Sequence, residues 1–183
     1  MLKTERMDRV RAALRAQGLT QMIVCDPKSV WYLTGGAVEA YERLLALYLP
    51  TEGEPVLFLN RLFNVPEPPC RTVWHTDTDK PVAQIAEVVD AGRPLGIDKE
   101  WPAKFLIPLM ETHPGMQVVL SSDCVDDCRA CKDAEEQTLM REASRINDAV
   151  NEAAKHYIKA GMTEREVAEF IDAQYRAHGW EGA

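Results

Sequence analysis

The sequence predicts an α/β sandwich, in which a mixed β-sheet is flanked by helices. Two observations support this prediction. Short apolar runs alternate with helical patterns through residues 1–120, and two of those runs are separated by a short loop that contains Glu52-Gly53. The alternation is typical of α/β folds, and a short glycine-containing loop between two apolar runs is typical of a β-hairpin. The predicted sheet is therefore partly antiparallel.

The chain begins with a predicted helix, a strand and a second helix. Residues 4–17 place apolar side chains on one helical face and precede Gly18, a natural helix end. The apolar run Gln21–Cys25 is predicted to be a buried strand. A turn follows, and residues Pro27–Leu33 are predicted to form a short helix that ends at a glycine pair.

Five further strands and two further helices complete this part of the chain. The strands are predicted at Leu44–Leu49, Pro55–Asn60, Thr72–Thr76, Leu95–Asp98 and Met116–Leu120. One helix is predicted at Pro81–Ala91, because proline suits a first helical position. The other is predicted at Trp101–Glu111, with an interruption at Pro108 because proline lacks the N–H that a helix interior needs.

The pattern changes after Ser121, where two amphipathic helices follow one another. Residues Asp133–Lys159 carry one apolar stripe at intervals of three and four. The members of the stripe are Leu139, Ala143, Ile146, Val150, Ala153 and Tyr157. Gly161 ends this helix, and Thr163 and Glu166 have the spacing of a capping box. The inner side of the second helix carries Val167, Phe170, Ile171 and Gln174. No strand follows to cover the remaining apolar surface, so we expect an incomplete second unit.

Composition and charge argue against several classes of function. The chain has 183 residues, of which 46% are hydrophobic, enough for a packed core. Its formal net charge of -8 repels phosphate backbones, so we expect no nucleic-acid partner. The longest apolar run, Leu44–Leu49, is too short to cross a bilayer, and Glu5 and Asp8 break any N-terminal signal pattern. We therefore expect no membrane partner and a cytoplasmic location.

Three closely spaced cysteines are a candidate metal site. Cys124, Cys128 and Cys131 lie within eight residues, a spacing that zinc or an iron–sulfur cluster could use. No clear fourth ligand accompanies them, and Cys25 and Cys70 are remote in sequence. The odd total of five cysteines fits a reducing compartment. We therefore interpret the three as reduced structural or surface thiols.

The histidines and glycines form no recognisable catalytic motif. No pair of histidines has the HExxH spacing, and no glycine-rich phosphate loop is present. His156 lies beside the apolar stripe, which predicts a partly buried position. His178 lies at a predicted helix C-terminus, where the helix dipole favours it. Ser29, Ser121 and Ser122 lack the G-x-S-x-G context of a nucleophilic serine.

Five segments, in order across nearly the whole chain, resemble the creatinase/prolidase family. They are Asp26-Pro27-x-Ser29-Val30-x-Tyr32-Leu33-Thr34-Gly35, Glu42-Arg43 ahead of Leu44–Pro50, Gly96-Ile97-Asp98, Arg129-x-Cys131-Lys132-Asp133-x-Glu135-Glu136, and Gly161-Met162-Thr163-Glu164. The resemblance implies a creatinase/prolidase N-terminal α/β domain at residues 1–125. Residues 126–183 would be a connector and the first two helices of a truncated pita-bread catalytic domain.

The resemblance also implies an activity for the complete protein. Peptidase members hydrolyse the bond before proline, as Xaa-Pro dipeptidases or aminopeptidases, with two divalent metal ions such as Mn, Co or Zn. Their ligands, two Asp, one His and two Glu, lie beyond the two helices. We therefore expect no catalytic residue and no metal ligand in this chain, and no activity from it alone. Creatinase, a metal-free hydrolase, and non-catalytic binding modules share the architecture and remain alternatives.

One loop is implied to contact a proline-containing peptide substrate. In dimers of the family, the segment equivalent to Gly35–Arg43 reaches toward the partner's active site, so a homodimer is also implied. Tyr41, Glu42 and Arg43 are the predicted substrate-binding residues, with Arg43 clamping a carboxylate and the glycines allowing movement. Alternatively, Glu42 and Arg43 only pair with neighbours at a strand end. The family often has a bulky residue in place of Gly36 and a His in place of Tyr41.

Overall fold

A computed structural model describes residues 2–65 and 67–180 of the chain. The chain forms two compact units, which divide between Cys131 and Lys132. Within the described ranges, no helix is both long enough and apolar enough to cross a membrane.

The first unit is built on a six-stranded mixed sheet, which confirms the predicted fold class. The strands are β1 (Gln21–Val24), β2 (Ala46–Pro50), β3 (Val56–Asn60), β4 (Arg71–His75), β5 (Leu95–Ile97) and β6 (Val118–Leu120). Their order in the sheet is β4-β3-β2-β1-β5-β6. The pair β2–β3 is antiparallel, as the hairpin prediction requires, with Leu47 opposite Leu57. Strand β1 also pairs antiparallel with β2, and the remaining neighbours are parallel.

Helices cover both faces of this sheet. They are α1 (Thr4–Ala16), α2 (Pro27–Thr34), α3 (Pro81–Ala86), α4 (Ala103–Thr112) and α5 (Asp123–Ala130). Successive strand residues point to opposite faces, so Leu57 and Leu59 join the apolar cluster under α1, α2 and α5. Val56 and Phe58 join the opposite cluster, which is packed under α3 and α4. The alternation gives a three-layer sandwich with two cores.

Two of the predicted helices differ from the observed ones. Helix α4 continues through Pro108, where an interruption was predicted. The proline removes only the hydrogen bond to the carbonyl of Lys104, an exposed residue of the first turn, and the next residue, Leu109, is fully buried. Helix α3 ends at Ala86, earlier than predicted. Beyond it, the side chain of Gln21 binds the backbone N–H and C=O of Asp90 and replaces helical hydrogen bonds.

Helix α5 was not predicted from the sequence. It has only eight residues, and its buried side chains are Cys124 and Val125. Such a short run carries too few apolar positions to give a clear helical period. Packing against α1 and α2 makes it a helix in the folded unit.

The second unit consists of two helices, as predicted. They are α6 (Ala134–Tyr157) and α7 (Glu164–Ala177). The capping box of Thr163 and Glu166 is confirmed, and α6 has a second box, formed by its N-cap Asp133 and Glu136. The rings of Tyr157 and Phe170 stack with centroids 3.8 Å apart and join the two helices.

Both histidines of the second unit are exposed. The predicted partial burial of His156 is wrong, because its side chain is 80% exposed and faces Glu152 at 3.1 Å. His156 lies two residues, or about 200° around the helix, from buried Ala154. His178 is the C-cap of α7, as predicted.

Candidate functional site

The predicted substrate loop connects α2 to β2. Helix α2, which precedes the loop, is capped at both of its ends, and a turn closes the loop before β2. Asp26 caps the start of α2 by accepting a hydrogen bond of 2.9 Å from the Ser29 N–H. Gly35 ends the helix with a φ of 74°, a conformation that favours glycine. At the other end, the Arg43 N–H donates to the Ala40 carbonyl at 2.9 Å and closes a turn just before β2.

Tyr41 has an unusual backbone conformation within that turn. Its φ is 48°, and within residues 2–65 and 67–180 no other non-glycine residue has a positive φ. Left-handed geometry costs an L-residue with a Cβ about 1–2 kcal/mol. The side chain is 81% exposed, and its hydroxyl donates to Glu39 at 2.8 Å. The turn therefore presents the Tyr41 ring to solvent rather than to the core.

Arg43 is held by a two-pronged ion pair. Its Nε and Nη2 donate to the two carboxylate oxygens of Asp77 at 3.0 and 3.1 Å, and its Nη1 lies 3.0 Å from Glu42 Oε1. The hydrogen bond from Arg43, helped by one from Asn60, holds the pKa of the Asp77 carboxyl below its usual value. Arg43 is thus a fixed cation beside two carboxylates, and the structure brings Glu42 and Arg43 into direct contact.

Two buried polar side chains lie behind this ion pair. Asn60 and His75, the last residues of β3 and β4, are opposite each other in the sheet and are 1% and 2% exposed. Asn60 Nδ2 lies 2.8 Å from Asp77 Oδ1 and 3.4 Å from His75 Nδ1. His75 Nε2 lies 3.1 Å from the Leu44 carbonyl oxygen. The two residues link the sheet to the exposed ion pair.

An open cleft of about 310 Å³ surrounds these groups. Its lining residues are Glu42, Arg43, Leu44, Asn60, His75, Thr76, Asp77, Asp79, Pro81, Lys104 and Phe105. Lys104 Nζ donates to the Glu42 carbonyl at 2.5 Å, so α4 also holds the loop. The cleft carries three carboxylates and two cationic side chains, so its lining has no excess of positive charge.

Arg43 also borders a second, more apolar cleft of about 340 Å³. This cleft lies between the loop that precedes β2 and the turn that follows β3. Its lining residues are Ala37, Val38, Glu39, Tyr41, Arg43, Leu62, Phe63, Asn64 and Val65. Tyr41 and Leu62 are its exposed apolar members. The guanidinium therefore stands at the boundary between a polar cleft and a partly apolar one.

Three of the family-like sequence segments meet elsewhere, at the carboxyl ends of β1 and β5. The buried carboxylate of Asp98 accepts hydrogen bonds from the backbone N–H groups of Cys25, Asp26 and Glu100. Arg129 Nη1 from α5 donates to Asp26 Oδ2 at 3.2 Å and to Ser29 Oγ at 3.0 Å. Burial raises the pKa of Asp98, although its backbone hydrogen bonds oppose that rise. These contacts join α2, α5 and the sheet, which is a structural role.

Two of the three closely spaced cysteines have thiols with raised pKa values. Burial raises the pKa of Cys124 to about 11 and raises that of Cys128, so both are protonated at neutral pH. Within the described ranges, no group of three or more His, Cys, Asp or Glu side chains could hold a metal ion.

The sequence analysis did not identify Asn60, His75 or Asp77 as site residues. One signal was present, since Asn60 ends the apolar strand β3 with a polar side chain and His75 is the last residue of β4. Ligands often bind at the carboxyl ends of parallel strands. The signal becomes useful only once β3 and β4 are known to be parallel neighbours.

Comparison with protein families gives two matches, one after the other along the chain. The sequence model of the creatinase/prolidase N-terminal domain matches residues 6–131. The model of metallopeptidase family M24 matches residues 138–183.

Among curated proteins, the chain is similar to bacterial peptidases. It is 29% identical to the probable dipeptidase PepE of Mycobacterium tuberculosis, over 92% of this chain and 47% of that protein. It is 24% identical to an uncharacterized peptidase of Staphylococcus epidermidis, over 93% of this chain and 49% of that protein. The chain thus spans about half the length of the curated relatives it matches.

Solved structures of similar fold include dipeptidases and a prolidase. Dipeptidase PepE of Mycobacterium ulcerans superposes with a TM-score of 0.79 at 26% identity, over 95% of this chain and 49% of that chain. The dipeptidase of Pyrococcus horikoshii gives 0.75 at 25% identity, over 94% and 50%. The prolidase of Thermococcus sibiricus gives 0.82 at 24% identity, over 97% and 50%, and shows likeness of fold.

Proposed function

Since the chain belongs to the creatinase/prolidase family, we propose that it is the N-terminal part of a proline-directed metallopeptidase, an Xaa-Pro dipeptidase or Xaa-Pro aminopeptidase. The observation that carries the proposal is the order of the two matches, an N-terminal domain at 6–131 followed directly by metallopeptidase family M24 at 138–183. A binding module built on the N-terminal domain alone would not need the second match.

The similar proteins support a peptide substrate. PepE of Mycobacterium tuberculosis, PepE of Mycobacterium ulcerans and the Pyrococcus horikoshii protein, each at 25% identity or above, are described as dipeptidases. Because the chain spans about half of their length, the proposed activity belongs to a full-length protein. In that protein, residues 1–125 would form the N-terminal domain, and residues 126–183 a connector and the first helices of a pita-bread catalytic domain.

The proposed metal ions do not fit the residues of this chain. Two divalent ions, Mn, Co or Zn, would activate a water and polarise the scissile carbonyl when bound. The described residues offer no cluster able to hold them. The metal ligands of the proposed full-length enzyme would therefore come from sequence outside this chain.

The proposed contribution of this chain is substrate binding by the loop that carries Tyr41, Glu42 and Arg43. In a homodimer, this loop would reach the partner's active site. Within the described part of the chain, Asp77 accepts hydrogen bonds from two of the five N–H donors of Arg43, and Glu42 forms an ion pair with Nη1. The N–H groups that Asp77 does not use are available to a peptide carboxylate, and the fixed guanidinium loses little entropy when it binds one. The competing role, a strand-end ion pair, is favoured by the acidic neighbours of Arg43.

The cellular location that we propose is the cytoplasm. All five cysteines are free thiols in the structure, as a reducing compartment would keep them.

The proposal is tested by comparing this chain with a full-length protein that contains it and has about the length of its relatives. Both would be assayed against Xaa-Pro dipeptides, longer Xaa-Pro peptides and creatine, with and without manganese. We expect metal-dependent cleavage before proline by the full-length protein alone. Turnover of creatine, or no turnover of any of these compounds, would favour the creatinase-like or binding-module alternative. Cleavage by the 183-residue chain that survives a chelator control would contradict the placement of the site.

A further inference from the structure

The ends of β3 and β4 hold a buried polar pair that neither the hydrophobic core nor the peptidase proposal explains. Asn60 and His75 are almost fully buried, and they face each other across the parallel strand pair. Burying such groups is unfavourable unless their hydrogen bonds are satisfied. Leucine or valine at these strand ends would serve the core better, so their contacts suggest a specific role.

The direction of each hydrogen bond follows from its fixed neighbours. The Leu44 carbonyl can only accept, so His75 Nε2 carries the proton, and Nδ1 of the neutral ring is an acceptor. The Leu62 N–H donates to Asn60 Oδ1 at 2.9 Å, which fixes the amide orientation. Asn60 Nδ2 therefore donates both to His75 Nδ1 and to Asp77 Oδ1. A chain of hydrogen bonds runs from the buried backbone of Leu44 to the carboxylate of Asp77.

This series of hydrogen bonds ends at Asp77, the residue that orients Arg43. Asp77 Oδ1 accepts from Asn60 Nδ2 at 2.8 Å and from Arg43 Nε at 3.0 Å. The Asp77 side chain is 53% exposed, so Asn60 supplies its attachment to the buried sheet. An arginine side chain has many rotamers, and a two-pronged partner selects among them only if that partner is itself fixed.

We propose that Asn60 and His75 are positioning residues that fix Asp77 and, through it, the guanidinium of Arg43. The importance of this orientation for substrate binding rests on the proposed function, but the orientation itself does not. A peptide carboxylate would meet a preformed guanidinium. The buried pair thus converts a flexible loop side chain into a rigid one.

The test uses the isosteric variant Asn60→Asp in the 183-residue chain. The aspartate keeps the acceptor for the Leu62 N–H but loses the donor to His75 and Asp77. Nitrogen-15 NMR would follow the Arg43 Nε–H signal and its exchange with water at fixed pH. We expect exchange in Asn60→Asp about tenfold faster than in the parent chain, as the loss of one hydrogen bond of typical strength implies.

Asn64→Asp is the matched control, because it adds the same charge beside Arg43, at an exposed position that lines the neighbouring cleft. We expect its Arg43 signal to match that of the parent. Equal exchange in all three proteins would overturn the proposal, and so would equal acceleration in both variants, because the effect would then not depend on the Asn60 donor.

A second pair of variants decides the matter if Asn60→Asp does not fold. His75→Asn retains an acceptor at the position of Nδ1, whereas His75→Leu removes it. Slower Arg43 exchange in His75→Asn than in His75→Leu supports the proposal, and equal exchange in the two overturns it.

Kinetics of the full-length protein separate this proposal from the proposed function. Lower kcat/KM for Xaa-Pro peptides in Asn60→Asp, together with faster Arg43 exchange, supports both. Faster exchange with unchanged kcat/KM supports the positioning role and contradicts substrate binding by Arg43.

Discussion

At the scale of single residues, Arg43 is the side chain on which the proposed role of this chain depends. Asp77 accepts two hydrogen bonds from it, and Glu42 forms an ion pair with it. The same contacts are compatible with a clamp for substrate or with a purely structural ion pair. Kinetics and stability respond differently in the two cases, so one variant separates them.

We predict that Arg43→Ala in the full-length protein lowers kcat/KM for Xaa-Pro peptides by about ten- to a hundredfold, because a charge-assisted contact to the substrate is lost. The urea midpoint should change little, since exposed ion pairs contribute little to stability. Steady-state kinetics and urea unfolding would be measured on the same preparation. Arg71→Ala, at the exposed start of β4, serves as the control. Unchanged kinetics beside a lowered midpoint would identify a structural ion pair.

At the scale of elements, β5 depends on a glycine in the middle of the sheet. Gly96 lies between Met22 of β1 and Val119 of β6. A Cβ at this position would overlap the hydroxyl of Ser121 and would lie 3.2 Å from the Gln21 carbonyl oxygen. The motif residue Gly96 is therefore needed for the close approach of neighbouring strands.

We predict that Gly96→Ala destabilises the chain by about 1–3 kcal/mol, as overpacking of a filled site does. Adding Ser121→Ala should restore part of the loss, because it removes the overlapping oxygen. Urea unfolding of both variants would measure the effect. Gly36→Ala is a matched control, since its added methyl group would meet nothing closer than 3.7 Å. A midpoint of Gly96→Ala equal to that of the control would show that the strands separate at little cost.

At the scale of the whole molecule, the thiols and carboxylates are distributed without a metal centre in the described residues. The cysteines that lie closest together in sequence sit on or next to α5, where burial keeps Cys124 and Cys128 protonated. A metal would have to displace these protons, which lowers its affinity at neutral pH. The metal chemistry proposed for the full-length protein therefore requires ligands from outside this chain.

We predict that the purified 183-residue chain binds no stoichiometric zinc, iron, manganese or cobalt. Elemental analysis after desalting would measure this, with the Cys124→Ser, Cys128→Ser, Cys131→Ser triple variant as the control. One equivalent of zinc that is present in the parent and lost in the triple variant would show that the cysteines form a site.

The sequence by itself determined the fold class, the family and the order of all elements except α5. Apolar periodicity, capping residues and short motifs are local, so Thr163 and Glu166 could be interpreted without coordinates, and the structure confirms their capping role. Local patterns were insufficient for α5, which is short, and for Pro108, which a packed helix tolerates.

Only the tertiary structure decided what surrounds Arg43. The predicted segment was found from the sequence, but Asp77 lies 34 residues beyond Arg43, and Asn60 and His75 lie between the two in sequence. They meet because β3 and β4 are parallel and in register, with Asn60 opposite His75. Strand order and register depend on how both faces of the sheet pack, which is a property of the whole domain and not of any local sequence pattern.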